Sequence, residues 1–201
     1  MRPSTFVLGA ALLGCRVEQR PPARFDLGRP ATAADIAPID IDVNPAGVGL
    51  PAGQGTYDQG AHVYAAKCAA CHGVNGEGNG PNPRLVGAEP RAGFPFGKDF
   101  KIPRTIGNYW PYATTLYDYV HRAMPLPAPG SLTSDETYAV VAYLLAENAV
   151  VPRTAVMDAG TLPKVQMPAR PHFVPDGSFE LPAEPAPAAK PAPDFECENS
   201  A

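Results

Sequence analysis

The chain has 201 residues, a net charge of -4, and 26 prolines with 19 glycines. That length allows one modest core and excludes two large domains. The acidic balance, with no basic stripe to replace phosphate counterions, excludes a nucleic-acid partner. So much proline and glycine excludes packing throughout and predicts a compact centre with extended arms.

In chain order, residues 1–15 read as a secretory leader: Arg2 supplies a positive start, and residues 4–13 form an apolar run too short to span a bilayer. The leader ends in "LLGC", as bacterial lipoprotein signals end, so Cys15 is the candidate acylated N-terminus and lipid anchor; the alternative is simple cleavage nearby. Either way the chain is expected to be exported, to the periplasm or the outer face of the cytoplasmic membrane. Residues 16–55 read as an extended N-terminal arm with a short helical turn at residues 32–36. Thr56-Tyr57-Asp58-Gln59 has the capping-box pattern and opens a helix to about residue 70, with Gly60, Tyr64 and Cys68 on one face. Residues 73–111 read as loop. A second helix covers residues 113–122 and stops before Pro125. Thr133-Ser134-Asp135-Glu136 is another capping box, opening a helix with Val140, Tyr143 and Leu144 on a shared face. The compact domain is therefore residues 56–150. Residues 151–178 read as an extended C-terminal arm, and residues 179–201 as a Pro/Ala-rich disordered tail. Cys197, in that tail, has no evident local partner and no assigned role.

The chemistry lies in "KCAACHGVNGEGNGP", residues 67–81. A lone CxxC suits zinc or a redox dithiol, but zinc needs further ligands at suitable spacing and a thioredoxin-like pair needs a βαβ setting; neither is present. The adjacent His72 changes the reading. In CxxCH the two thiols add to the vinyl groups of haem, and the next residue's imidazole faces the iron. Cys68 and Cys71 are thus the attachment points for one covalent haem c, and His72 the proximal ligand. The glycine run lets the chain pass close over a flat macrocycle, and a backbone carbonyl near Pro83 is placed to accept the Nδ1–H of His72. Met124, Met157, Met167, His62 and His121 are candidates for the other axial position. Met124, in the proline-held "AMPLPAPG", is favoured; Met167, in "QMPAR", is the second choice. His/Met ligation raises the reduction potential relative to two histidines and closes the iron to substrates, which fits a carrier of single electrons.

These residues resemble the class I cytochrome c family, with CAACH, "PRLVG", Met124-Pro125 and a pair of helices matching its pattern over residues 56–148. The resemblance implies an all-α, class I cytochrome c fold in which Gly60 and Tyr64 meet Val140 and Tyr143 where the two helices cross at right angles. Three longer stretches, residues 27–55, 104–125 and 162–170, are similar to the cytochrome subunits of bacterial sulfite dehydrogenases and of the sulfur dehydrogenase of thiosulfate oxidation. That resemblance implies a molybdenum-cofactor dehydrogenase subunit as electron donor, and a downstream cytochrome or terminal oxidase as acceptor. It also implies that Arg104, Asn108, Trp110 and Tyr112 line the haem and hold its propionates. Ala169 and Ala46 stand where those families have asparagine and aspartate. The alternative function is a free-standing lipoprotein cytochrome that shuttles electrons from another donor to a terminal oxidase.

Overall fold

The computed structural model describes residues 28–87 and 93–174. The leader with Cys15, the tail from residue 179 and Cys197 lie outside the described residues. The described residues up to 40 belong to one unit and those from 41 to a second. In the first, Thr32 caps a single turn, α1 (Ala33–Ile36), and the Asp35 carboxylate reaches back to the Thr32 N–H at 2.8 Å. Arg29 pairs with Asp35 at 2.6 Å, and the turn buries none of its residues.

The second unit holds five helices and one pair of strands among its described residues. Strand β1 (Gln54–Thr56) runs into helix α2 (Tyr57–Lys67), where Thr56 and Gln59 close the expected capping box. A second short helix, α3 (Ala69–His72), follows after a break at Cys68, whose φ of -122° interrupts the helix. Next come α4 (Ile106–Tyr109), α5 (Ala113–Ala123) and α6 (Ser134–Glu147). Thr133 and Glu136 form the capping box of α6. Strand β2 (Val156–Asp158) returns antiparallel to β1, with Gly55 opposite Met157. The fold is mostly helical, and this small sheet is an addition to the all-α expectation. Its strands are three residues long and nearly 100 positions apart, so no local alternation marks them.

Helix α6 is the centre of the core and packs against α2, α5 and β1. Every residue from Thr137 to Leu145 is buried, so α6 has no solvent face over that stretch. The expected single apolar face is thereby widened to the whole circumference, as in a helix surrounded by neighbours. Its contact with α2 is made backbone to side chain. A Cβ on Gly60 would collide with the Ala139 carbonyl and come within 2.7 Å of the Tyr143 Cβ. The exposed Lys67–Glu136 pair, 2.7 Å long, joins α2 to α6 and adds a few tenths of a kcal/mol, about 0.5.

The segment from residue 41 is held to the core by named bonds. Val43 N–H donates to Asp118 Oδ1 at 2.8 Å, Thr114 Oγ1 donates to the Pro45 carbonyl at 3.0 Å, and Tyr138 OH donates to the Pro51 carbonyl at 2.9 Å. Arg122, one turn beyond Asp118 on α5, donates to the same carboxylate at 2.8 Å. The Arg122 guanidinium, and then the Val43 N–H, hold the Asp118 carboxyl below its ordinary range. A depressed folded-state pKa contributes stability that is present above the unfolded value, near about 4, and is lost as pH falls through the folded value. Replacing Asp118 by alanine leaves the buried Val43 N–H unpaired and is expected to lower stability by about 1–3 kcal/mol. Urea unfolding followed from pH 7 downward is expected to show the gap between the two proteins closing below about pH 4.

Within the C-terminal segment read as an extended arm, the chain turns repeatedly. After β2 it makes two 3-10 turns, Leu162–Lys164 and Arg170–His172. Met157, Leu162, Met167 and Ala169 are all buried. Proline density at this segment marks turns rather than detachment, because fixed φ angles suit 3-10 geometry while the apolar side chains between them point inward. Among the described residues, no helix is long and apolar enough to cross a membrane.

Candidate functional site

Cys68 stands between the two helices, as the C-cap of α2 and the N-cap of α3; its N–H donates to the Tyr64 carbonyl at 2.9 Å, and the His72 N–H donates to the Cys68 carbonyl at 3.0 Å. This one-turn spacing holds the three site residues on a single rigid corner. Both cysteines are unbridged, Cys68 half-buried and Cys71 exposed. Burial pushes the Cys68 thiol up to about 11. A redox dithiol needs the opposite, a lowered thiol pKa in an electropositive setting. No group of three His, Cys, Asp or Glu residues among those described is arranged to hold a metal ion.

His72 Nδ1 lies 3.0 Å from the Pro83 carbonyl oxygen. With the proton on Nδ1 this is a donated bond, and it leaves Nε2 as the nitrogen with a free lone pair. The carbonyl is brought there by the glycine run. Gly73, Gly76, Gly78 and Gly80 all have positive φ, so the loop turns back on itself through left-handed positions. Gly76, which is buried, accepts from both Leu85 and Val86 N–H at 2.8 and 3.0 Å, and this closes the loop. The glycines are therefore required by backbone conformation, in addition to the close approach expected of them.

Cys68, Leu85, Val86, Trp110 and Met124 are each half-buried and packed against the core. Met124 caps the end of α5, and its peptide bond to Pro125 is cis. Met157 and Met167 belong to the buried core cluster itself. His62 is exposed on α2. His121 is on α5 and stacks on Tyr117, with its Nδ1 buried and without a hydrogen-bond partner.

Four further residues were singled out from the sequence. The Arg104 guanidinium lies 4.4 Å over the Tyr109 ring and belongs to no salt bridge among the described residues. Asn108 is buried and serves its own turn: Oδ1 accepts from the Thr105 N–H at 2.8 Å and Nδ2 donates to the Pro103 carbonyl at 3.1 Å. Trp110 donates its indole N–H to Thr115 Oγ1 at 3.0 Å. Tyr112 begins α5 and lies beneath the Arg170 guanidinium at 4.6 Å.

Sequence reasoning passed over Asn148. Its amide, buried at the end of α6, accepts from the Gly107 N–H at 3.2 Å and donates to the Leu85 carbonyl at 3.1 Å. One side chain thus fastens α4 and the loop behind His72 to the central helix. An asparagine just past a helix end reads locally as a cap, and nothing in its neighbours shows partners 41 and 63 residues away. Helix α4 was also missed; Thr105 and Asn108 form its capping box with asparagine in place of the usual Glu or Gln.

Two unbridged thiols on one helical corner, and beside them an imidazole whose Nδ1 faces the Pro83 carbonyl, are a donor set that fits covalent haem.

Residues 57–147 match the sequence family described as cytochrome c. Four chains of solved structures match significantly. One belongs to the sulfane dehydrogenase SoxCD from Paracoccus pantotrophus; it is 34% identical, with 89% of this chain and 87% of that one covered and a TM-score of 0.68. Another belongs to the thiosulfate dehydrogenase TsdBA from Marichromatium purpuratum; it is 29% identical, with 46% and 18% covered and a TM-score of 0.34. Among curated proteins, none matches significantly.

Proposed function

Because this chain belongs to the c-type cytochromes, electron carriers with covalently bound haem c, we propose that it is the monohaem subunit taking electrons from a molybdenum-dependent sulfite- or sulfur-oxidising dehydrogenase. The observation that carries this reading is the reach of the similarity to the SoxCD chain. It covers 89% of the sequence, well beyond the residues 57–147 shared with cytochromes c in general. A carrier matched only through its haem domain would leave the flanking segments unmatched.

When bound, haem c supplies a one-electron redox centre. Cys68 and Cys71 fix its position through thioether bonds. The Pro83 carbonyl orients the His72 imidazole and raises the basicity of its outer nitrogen, Nε2. Met124, at the end of α5, would supply a second ligand alongside His72, which would close the iron to small molecules and leave one-electron exchange as its chemistry. Arg104, which has no carboxylate partner in a salt bridge among the described residues, would with Tyr112 hold the propionates, and Trp110 would line the cofactor. Asn108 acts through the turn it stabilises. The partner docks at the exposed edge near Cys68 and Cys71. Export, with Cys15 as the lipid anchor, places the protein where such a dehydrogenase works.

Two measurements test this. Sulfite or a sulfane-sulfur substrate is expected to reduce the purified protein only when a molybdenum dehydrogenase is added; co-purification with a terminal oxidase alone supports the free-standing shuttle instead. Carbon monoxide is expected to leave the ferrous spectrum of the wild type nearly unchanged and to shift that of Met124→Ala at once. An immediate shift in the wild type overturns the assignment of Met124.

A further inference from the structure

Three tyrosines stand in a row from the site to the surface. Tyr64, fully buried, donates its hydroxyl proton to the Gly73 carbonyl at 2.8 Å, one residue after His72. Its ring centroid lies 5.0 Å from that of Tyr143, also buried, and Tyr143 lies 5.3 Å from Tyr57. Both spacings are in the range of aromatic pairs in direct contact, roughly 4.5–7 Å. The row ends at a built terminus. Tyr57, half-buried, donates to Glu147 Oε1 at 2.7 Å, and Arg153 lies 4.7 Å over the Tyr57 ring while donating to the same carboxylate oxygen at 2.9 Å.

Packing alone does not ask for tyrosine at these positions. Phenylalanine fills almost the same volume without bringing a polar atom into the core. What tyrosine adds is an oxidisable ring. Oxidising a phenol by one electron makes its proton strongly acidic, so the electron leaves readily only where a base takes the proton. The two ends of the row differ in this respect. Tyr64 faces a peptide carbonyl, which is too weak a base. Tyr57 faces a carboxylate.

We propose that Tyr64, Tyr143 and Tyr57 form an outlet that moves an oxidising equivalent away from the His72 corner and discharges it at Tyr57. The oxidant is a peroxide-derived radical, reduced by one electron. That electron is drawn along the row from Tyr57. The Tyr57 O–H bond breaks, an O–H bond forms on Glu147 Oε1, and the products are a neutral phenoxyl radical and a neutral carboxylic acid. Before oxidation the Glu147 hydrogen bond, assisted by burial, holds the Tyr57 phenol up at about 12, so the proton is in place to be given. The outlet protects the His72 corner from oxidation, and it operates whichever donor supplies electrons to the protein.

The test is peroxide treatment of the holoprotein with a nitroso spin trap present, and mapping of trapped tyrosines by peptide mass spectrometry. Adducts are expected at Tyr57 in the wild type, and loss of the Tyr57 adduct is expected in both Tyr143→Phe and Glu147→Gln. Circular dichroism and the visible spectrum of each sample establish that fold and pigment are intact. Attack from solvent would label Tyr57 equally in the wild type and in Tyr143→Phe, and an unchanged Tyr57 adduct in that variant overturns the proposal.

Discussion

Acidified acetone is expected to leave the pigment on the wild-type protein and to strip it completely from a Cys68→Ala/Cys71→Ala double variant. The two thiols stand one helical turn apart on a corner fixed by the Cys68–His72 backbone bond, so the thioethers lock the cofactor to a rigid element. Without them only ligation and burial would hold the cofactor, and acidified acetone disrupts both. Each single variant keeps one thioether and is expected to retain pigment. Release of pigment from the wild type would refute covalent attachment and, with it, the central chemical assignment.

Gly60→Val is expected to cause the largest loss of stability among single substitutions outside the cofactor ligands. The new Cβ meets the Ala139 carbonyl and the Tyr143 Cβ, and two of the colliding groups are backbone or attached directly to it. Neither can swing aside as a long side chain can, so α2 must lift away from α6. Overpacking a core commonly costs about 1–3 kcal/mol, and a clash with main chain belongs at or above the upper end. For a chain of this size about 3 kcal/mol lowers the melting temperature by roughly 6–12 °C. The matched control is Ala65→Val on the exposed side of the same helix, expected to change stability by no more than about 0.5 kcal/mol. Thermal melts followed by circular dichroism check both. Equal melting temperatures for Gly60→Val and the wild type would mean that the two helices do not touch at this point.

Much of the site can be read from consecutive residues. CAACH places two thiols and an imidazole within five positions, and that short motif restricts the chemistry before any tertiary contact is known. The capping boxes at Thr56 and Thr133 were equally legible, because the cap and its partner are three residues apart. Thr105 carries the same device with asparagine at its third position, and the surrounding prolines and glycines concealed it. The glycine run was recognised as a feature of the site, but its conformational reason, a succession of positive φ angles, appeared only in the folded loop. Arg170 lies on a segment that reads as an arm, yet its guanidinium covers Tyr112 from 58 positions away.

Sequence by itself determined the CAACH motif and the two main capped helices, because each depends on groups within a turn or two along the chain. Tertiary structure alone decided that α6 is buried all round, that β1 pairs with β2, that Asp118 holds Val43, and that Asn148 braces the loop behind His72. Those outcomes rest on groups that meet only when distant segments share one core. A buried N–H or carbonyl takes whichever partner the fold brings to it, and the local sequence carries no record of which one that is.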